Sequence, residues 1–382
     1  MFDEARLDDE DAVAALDHSL TLRALAGAGA QVRIALRAAE EAGLERLRDV
    51  EPRGVVVAAA GGSAAVADIF VAAVRSGAAL PVQACASGPL PGWVGALDVV
   101  IAVSQSGRAA GALSMAAEAA RRGAFIVTIG AADSPLAEVS ARARGVHVPI
   151  AVPDTTSRTS MWAQATPALL AADALGLATV DRSSLLAVAD VLDDCATACR
   201  PSSESFVNPA KVLATEVAES TPIVLGEGPF GAVTACRAAS MFGRTGRMPV
   251  AFGSLPDGAS QIVACFDGPL AGGEGAHGAT DDIFADPFLD GPTRPPLRLI
   301  MLRDTSEGAD RRLTDTVVSV AEDAGVRVSL VEARSTDPVL RLAHHVALTD
   351  FAATYLAIGQ GYDPSSSPHV RLLRGARDIG PF

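Results

Sequence analysis

Short apolar runs alternate with amphipathic segments along the first part of the chain. The run at residues 54–60 is rich in Val and Ala, ends in Gly61, Gly62 and Ser63, and precedes a helical pattern over residues 64–75. This order predicts a strand, a tight turn and a helix. Further strands are predicted at residues 81–85, 98–103, 125–129 and 146–148. Strands that alternate with helices in this way indicate one mostly parallel sheet, covered by helices on both faces.

The alternation begins again in the second part of the chain, after residue 205. Strands are predicted at residues 223–225, 248–252, 262–266, 297–302 and 326–331, and helices at residues 209–219, 230–242, 311–324 and 339–358. The sequence therefore predicts an α/β protein that is a pseudo-duplication, with two domains of one type, each a mostly parallel sheet flanked by helices on both faces.

The same pattern gives expected domain boundaries. Residues 1–47 form a helical N-terminal segment, 48–155 the first α/β domain, 156–205 a helical connector and 206–382 the second domain. Residues 267–296 interrupt the second domain with a stretch rich in Gly, Asp and Pro. Loops of this length are usually functional or mobile, and the pattern leaves the role of this one open.

Composition narrows the possible partners. The chain has 382 residues, 49% of them hydrophobic and only 4% aromatic, which suits two cores built from aliphatic contacts. Its formal net charge of −14 argues against extended contact with a phosphodiester backbone, so no nucleic-acid partner is expected. A small phosphate can still bind locally, because N–H groups at a helix N-terminus attract anions without net positive charge.

The cysteines and the N-terminus indicate a cytoplasmic protein. Five cysteines are scattered through apolar stretches without a Cys-x-x-Cys pair, as expected for buried thiols in a reducing compartment. Cys195 and Cys199 are four apart, but no nearby His or Cys completes a metal site, so neither a metal nor another cofactor is expected. The first residues are acidic and lack the features of a signal peptide, and no membrane association is predicted.

Two turns rich in Gly and Ser follow predicted strands of the first domain. The first contains Gly61, Gly62 and Ser63, and the second contains Ser104, Ser106 and Gly107. Ligands of open parallel sheets bind beyond the carboxyl ends of the strands, where such turns offer N–H and hydroxyl donors. Either turn alone could be an ordinary connection from strand to helix, but two in one domain favour a phosphate site.

These motifs resemble those of a known family. The order Gly61-Gly62-Ser63, Asp68 and Ser104-Gln105-Ser106-Gly107 is similar to the phosphosugar-binding SIS (sugar isomerase) domain. The tail, Thr349 to Ala357 followed by Gly361-Tyr362-Asp363-Pro364, resembles bifunctional phosphoglucose/phosphomannose isomerases, including a divergent actinobacterial group called TobH-like. The resemblance covers nearly the whole chain. It implies two SIS domains, a phosphorylated hexose as ligand and a homodimer.

The resemblance also implies roles for individual residues. Gly61, Gly62, Ser63, Ser104 and Ser106 match the phosphate-binding turns. Arg158 matches an arginine that stabilises the enediolate of isomerisation, a role suited to a guanidinium that can make two parallel hydrogen bonds. An ordinary surface position is the alternative for Arg158.

The chain departs from the family pattern where catalysis needs proton transfer. Arg108 and Ala109 stand where the family has Asn and a phosphate-binding Thr, so one hydroxyl is lost and the cation of Arg108 is the candidate replacement. The expected catalytic Glu falls near Arg244, and the ring-opening His falls in residues 256–260, which contain no His. An arginine cannot act as the base, since it does not deprotonate in proteins.

These departures leave three hypotheses. The first is a phosphosugar-binding protein with weak or no isomerase activity, and the second is an active aldose-ketose isomerase with a substitute base. Glu227, Asp257 and His277 are the candidate substitute bases, although each also fits an ordinary turn or loop position. The third is a structural partner of another sugar enzyme, which no motif specifically supports.

Overall fold

The computed structural model describes residues 2–75, 77–150, 156–271, 295–304 and 309–377. The chain divides into two compact units, one of residues 24–194 and one of residues 1–23 with 195–382. The strands are β1 (Val55–Ala59), β2 (Val82–Cys85), β3 (Val99–Ser104), β4 (Phe125–Gly130), β5 (Val146–Pro149), β6 (Thr221–Glu227), β7 (Ala251–Leu255), β8 (Leu297–Asp304) and β9 (Arg327–Ala333).

The α-helices are α1 (Glu10–Leu16), α2 (Thr21–Ala26), α3 (Ala28–Glu41), α4 (Ala64–Val74), α5 (Ala110–Arg121), α6 (Pro135–Arg142), α7 (Met161–Ala174), α8 (Arg182–Ala198), α9 (Pro209–Ala218), α10 (Gly228–Arg244), α11 (Ala259–Val263), α12 (Ala309–Asp323), α13 (Pro338–Gly359) and α14 (Pro368–Arg377). Short 3-10 helices lie at Ala5–Asp8, Leu44–Asp49, Gly61–Ser63 and Ala264–Asp267. None of the helices in the described ranges combines the length and the hydropathy that a membrane span requires.

The unit of residues 24–194 is built on one parallel sheet. Its strand order is β2-β1-β3-β4-β5, and every neighbouring pair runs parallel. β1 and β3 are buried along their whole length, as expected for Val- and Ala-rich strands covered on both faces. α5 and α6 pack on one face, where Val56, Val100 and Met115 contribute to the core. α7 contacts both α3 and α4, and all three helices contact the sheet.

The second unit contains a smaller parallel sheet. Its order, β7-β6-β8-β9, repeats that of β2-β1-β3-β4 in the other unit. Leu225, Met301 and Val317 form a core with α11 and α12, and α9, α10 and α13 pack as a separate layer that contacts β6, β7 and β9. The predicted fold class, two mostly parallel sheets with flanking helices, is confirmed.

Some element boundaries predicted from the sequence are wrong. Residues 262–266, expected as a strand, lie instead in α11 and the 3-10 turn that follows it. Ile262 and Phe266 are four apart and both buried, whereas Cys265 between them is exposed, which is a helical spacing. A five-residue apolar run is too short to distinguish the two periods. β7 begins three residues later than expected, at Ala251, and α14 was not expected.

The helical pattern at the N-terminus is broken into separate short helices. α1 ends at Leu16 and α2 begins at Thr21, and between them Leu20 adopts a positive φ of 52°. The carboxylate of Asp17 accepts hydrogen bonds from the N–H groups of Thr21 and Leu22, at 2.7 and 2.9 Å. These bonds satisfy donors that the start of a helix leaves unpaired, so the chain can turn here despite the helical periodicity. Of the predicted insertion at 267–296, residues 272–294 lie outside the described ranges.

Candidate functional site

The carboxyl ends of β1 and β3 form the edge of the first sheet where a ligand is expected. β1 lies between β2 and β3 in the sheet. The chain that leaves β1 returns at β2, whereas the chain that leaves β3 returns at β4 on the opposite side, so the two connections diverge between β1 and β3. Such a switch point leaves a crevice beyond the strand ends. Both Gly/Ser turns predicted from the sequence begin at this edge, since Ala59 and Val103 are partners in the register of the two strands.

The first turn is the 3-10 turn Gly61–Ser63, which leads directly into α4. Gly61 has a φ of 62°, a left-handed conformation that costs other residues about 1–2 kcal/mol. A β-carbon on Gly61 would meet no atom within 4 Å, so this side of the turn is open. The turn therefore brings backbone at the start of a helix to an open part of the crevice.

The second turn connects β3 to α5 and leaves two hydroxyl protons free. The Oγ of Ser104 accepts a hydrogen bond from the N–H of Ala109, and the Oγ of Ser106 accepts one from the N–H of Arg108, each at 3.3 Å. Within the described ranges, neither hydroxyl donates its own proton to a protein acceptor. Both protons are therefore available to an anionic ligand.

The two hydroxyls differ in exposure. Ser104 is buried and has 3% of its surface exposed, whereas Ser106 and Arg108 are exposed. The turn itself is closed by a bond of 2.9 Å from the N–H of Gly107 to the carbonyl of Ser104, and Gly107 has a φ of 63°. Arg108 places a cation beside the turn, so the arrangement is suited to a phosphate that is only partly desolvated.

Ser63 uses its donors differently from Ser104 and Ser106. Its hydroxyl donates a 2.6 Å hydrogen bond to the Oε1 of Gln164, and its N–H donates one of 3.2 Å to the carbonyl of Ala60. Ser63 is 4% exposed and Gln164 is fully buried. Both donors of Ser63 are thus engaged inside the protein, and its hydroxyl can offer only lone pairs to a ligand.

Arg158 lies in the segment before α7 that packs against the first turn. A β-carbon on Gly62 would lie 2.0 Å from the Oγ of Ser157, so this segment is in close contact with the turn. Arg158 is half-buried and follows Ser157 directly. The structure therefore places Arg158 next in sequence to a residue that touches the predicted ligand-binding turn.

The candidate bases occupy the other unit or lie outside the described residues. Glu227 is the last residue of β6, where its carboxylate accepts a hydrogen bond from the hydroxyl of Thr314 on α12. Asp257 is exposed and lies two residues beyond Leu255, the register partner of Glu227. Both carboxylates are therefore at the carboxyl edge of the second sheet. His277 lies outside the described residues.

Gln164 was missed in the sequence analysis, although a signal for it exists. It is a polar residue within the otherwise apolar run Met161-Trp162-Ala163-Gln164-Ala165 of α7. A buried amide in such a run must find hydrogen-bond partners, which points to a structural or positioning role. Spacing alone does not reveal that the partner is Ser63, 101 positions away in sequence.

The adjacent residues His344 and His345 on α13 point their rings to different partners. The ring of His344 lies 3.4 Å from the Sγ of Cys195, and that of His345 lies 3.1 Å from the carbonyl oxygen of Val331. Burial lowers the pKa of His344 and raises the pKa of Cys199 to about 12. No group of three or more His, Cys, Asp or Glu side chains within the described ranges is arranged to hold a metal ion.

Comparison with known proteins assigns this fold. Residues 206–376 match the family model of the bacterial phospho-glucose isomerase C-terminal SIS domain. The chain is similar to the SIS-domain phosphosugar isomerases. Its likeness to the TobH-like branch and its actinobacterial origin stay predictions.

Solved structures extend the similarity over nearly the whole chain. A glucose-6-phosphate isomerase like protein from Thermus thermophilus is 18% identical, with a TM-score of 0.55 and coverage of 97% of this chain and 98% of that one. The C-terminal domain of glucosamine-fructose-6-phosphate aminotransferase from Francisella tularensis is 11% identical, with a TM-score of 0.61 and coverage of 91% and 98%. A hypothetical protein from Thermus thermophilus is 14% identical, with a TM-score of 0.66 and coverage of 97% and 94%. At these identities the likeness establishes the SIS fold, and a search of the curated proteins finds no match.

Proposed function

We propose that this protein binds a phosphorylated hexose at the carboxyl edge of its first sheet and has weak or no isomerase activity. The observation that carries the proposal is that the hydroxyls of Ser104 and Ser106 donate their protons to no acceptor among the residues that the structure describes. Both belong to a turn that leads into the N-terminus of α5, where backbone dipoles also favour an anion. Gly61, Gly62 and Arg108 complete the proposed phosphate-binding set, and Arg158 is assigned to the sugar.

Weak turnover is proposed because two proton-transfer groups implied by the resemblance have no counterpart. Each positioned acid or base typically contributes about 10²- to 10⁴-fold to a rate. Arg158 could stabilise a developing enediolate, but a base must first form it. A sensing or regulatory role in sugar-phosphate metabolism would need only the residues that bind the ligand, without a catalytic base.

A second candidate function is an active aldose-ketose isomerase that uses a substitute base. One observation favours it: Glu227 ends β6, which lies between β7 and β8 at the switch point of the second sheet. Ligands of open parallel sheets bind beyond the carboxyl ends of the strands at such a switch point, so the carboxylate of Glu227 lies where a catalytic group is expected. The hydroxyl of Thr314 would orient it.

A binding experiment tests the first proposal. Isothermal titration with glucose 6-phosphate, mannose 6-phosphate, fructose 6-phosphate and the unphosphorylated sugars should show affinity for the phosphorylated forms only. Ser104→Ala and Ser106→Ala should each weaken binding about 10- to 100-fold, as expected for hydroxyls bonded to a charged group. Ser114→Ala is the matched control, since the Ser114 hydroxyl on α5 is exposed and donates to the carbonyl of Gly111 at 3.0 Å. Unchanged affinity in the Ser104/Ser106 double variant would overturn the site.

A turnover assay in the same samples separates the two candidate functions. Interconversion of glucose 6-phosphate and fructose 6-phosphate should stay near background while binding persists. Robust turnover that is lost in Glu227→Gln or Asp257→Asn would instead establish the isomerase and identify its base. His277→Ala completes this set, because histidine is the side chain whose ordinary pKa lies nearest neutrality.

The proposed assembly is a homodimer, as the family resemblance implies. Phe206 and Val207 expose 76% and 61% of their surface, and apolar groups so exposed often contact another chain. Sedimentation velocity at micromolar concentration should give a dimer. A single monomeric species would contradict this.

A further inference from the structure

Gln164 is a buried amide whose two ends are both fixed. Its Oε1 accepts the hydroxyl proton of Ser63 at 2.6 Å, and its Nε2 donates to the carbonyl and the Oγ of Ser160, at 3.1 and 3.2 Å. Because Nε2 must face the carbonyl of Ser160, the amide cannot flip without losing these bonds. Gln164 therefore connects the turn after β1 to the residue that precedes α7.

Ser160 is in turn hydrogen-bonded to the segment that carries Arg158. The hydroxyl of Ser160 donates to the carbonyl of Thr156 at 2.9 Å, and the N–H of Thr156 donates to the Oγ1 of Thr159 at 3.1 Å. Arg158 lies between these bonded positions. The segment is thus folded on itself and joined to Ser63 through one side chain.

A second buried amide holds the other side of the same segment. The Nε2 of Gln31 on α3 donates to the carbonyl of Thr159 at 2.8 Å, and its Oε1 accepts from the N–H of Ala163 at 3.4 Å. Gln31 therefore fixes the segment against α3. Gln164 links the segment to Ser63 by hydrogen bonds, beside the contact that Ser157 makes with Gly62.

We infer that Gln164 is a positioning residue that sets Arg158 against the sugar end of the site, an inference that rests on the proposed function. By accepting the proton of Ser63, Gln164 also removes that hydroxyl from the donors available to phosphate. The phosphate is then held by Ser104 and Ser106, while Ser63 presents an acceptor suited to a hydroxyl group. Gln164 consequently governs recognition of the hexose and not of its phosphate.

The experiment compares two probes on the same variants. Calorimetry with glucose 6-phosphate and with inorganic phosphate measures the whole site and the phosphate end separately. Gln164→Leu should weaken glucose 6-phosphate binding about tenfold and inorganic phosphate binding less than about twofold, since the misplaced hydrogen bond is the one from the charged guanidinium of Arg158 to the sugar. Ser160→Ala removes the hydroxyl of Ser160 but keeps its carbonyl, which also bonds to Gln164. It should therefore weaken glucose 6-phosphate binding selectively, but less than Gln164→Leu does.

A double-mutant cycle with Arg158 distinguishes positioning from general destabilisation. If Gln164 acts through Arg158, the Gln164→Leu/Arg158→Ala variant should bind glucose 6-phosphate no more weakly than Arg158→Ala. Asn208→Ala is the matched control. It removes another buried amide, the N-cap of α9, and should leave the ratio of the two affinities unchanged.

Each outcome bears on one proposal. Equal losses for the two probes, or additive losses in the cycle, would overturn the role of Gln164. A wild-type protein that binds neither probe would overturn the proposed function instead. If Gln164→Leu does not fold, Gln164→Glu and Ser160→Ala carry the same comparison, because the glutamate keeps the acceptor for Ser63 and loses the donor to Ser160.

Discussion

A β-carbon on Gly62 would lie 2.0 Å from the Oγ and 2.7 Å from the Cβ of Ser157. The turn after β1 and the segment that carries Arg158 are therefore in contact at a position where only glycine fits. This contact and the bond from Ser63 to Gln164 join the same two parts of the chain. The candidate site depends on both.

The first prediction is that Gly62→Ala weakens hexose-phosphate binding and destabilises the protein. The added methyl group must displace Ser157 and the neighbouring Arg158, and overpacking of this kind typically costs about 1–3 kcal/mol. Calorimetric titration and chemical denaturation measure the two effects. Gly92→Ala is the matched control, since a β-carbon there meets no atom within 4 Å and its φ is not positive. Equal behaviour of the two variants would contradict the prediction.

The second prediction concerns the ion pair between Arg237 on α10 and Asp350 on α13. The guanidinium donates to both carboxylate oxygens, at 3.2 and 2.6 Å, and both side chains are 5% exposed. Asp350→Ala should lower the free energy of unfolding by about 3–5 kcal/mol, because it removes the carboxylate that accepts two hydrogen bonds from a buried charge. Urea denaturation followed by circular dichroism measures the change.

The pair of Arg142 and Glu138 on α6 supplies the comparison for Asp350→Ala. These side chains are 78% and 66% exposed and 2.9 Å apart. Glu138→Ala should therefore change the free energy of unfolding by less than about 1 kcal/mol. A similar loss in the two variants would show that the pair of Arg237 and Asp350 is hydrated rather than buried.

The fold was predictable because both sheets follow short, strongly apolar runs. β1 and β3 were located to within a residue or two, since short apolar runs that alternate with helical patterns are typical of buried parallel strands. The failures occurred where local pattern is ambiguous. Ile262 and Phe266 fit either period, and the break at Leu20 depends on Asp17, whose capping bonds no periodicity reveals.

The candidate site was predictable only in part. Its two turns could be located from glycine and serine alone, and the structure brings them to adjacent strand ends. The direction of each hydroxyl could not be predicted, because Ser63 donates to Gln164, a partner distant in sequence, while Ser104 accepts from a neighbour. Residue types give the donors and acceptors of a site, but tertiary contacts decide which of them remain for a ligand.

The third prediction concerns Lys211, which is fully buried on α9. Its Nζ donates to Asp8 at 3.1 Å and to the carbonyls of Pro201 and Ser203 at 2.9 and 2.7 Å. Lys211→Met keeps the apolar stem but removes the donor to the carbonyls of Pro201 and Ser203 and the cation beside Asp8, so it should destabilise the protein by roughly 1–3 kcal/mol. Thermal denaturation measures this, and Val212→Ala on the exposed side of α9 is the control. An unchanged melting temperature for Lys211→Met would contradict the expectation.

The last prediction is that stability falls between about pH 6.5 and pH 4. Burial, and next the charge of His344, lowers the pKa of His345 from its ordinary value of 6.5 to about 4. In this window the unfolded chain binds a proton at His345 that the folded protein does not. The free energy of unfolding therefore decreases as the pH falls, and a shift of this size corresponds to roughly 3 kcal/mol. Burial lowers the pKa of His344 as well, which adds to the same trend.

Urea denaturation at a series of pH values tests this dependence. His345→Gln keeps a side-chain donor near the carbonyl of Val331, the present partner of the Nε2 at 3.1 Å, but cannot take up a proton. The slope of unfolding free energy against pH between 6.5 and 4 should become shallower in this variant, while the carboxylates continue to titrate at the acid end. His18→Gln, at an exposed histidine, is the matched control. If His345→Gln keeps the full slope of the wild type, the acid sensitivity arises elsewhere, because only a group that binds protons differently in the two states can contribute to it.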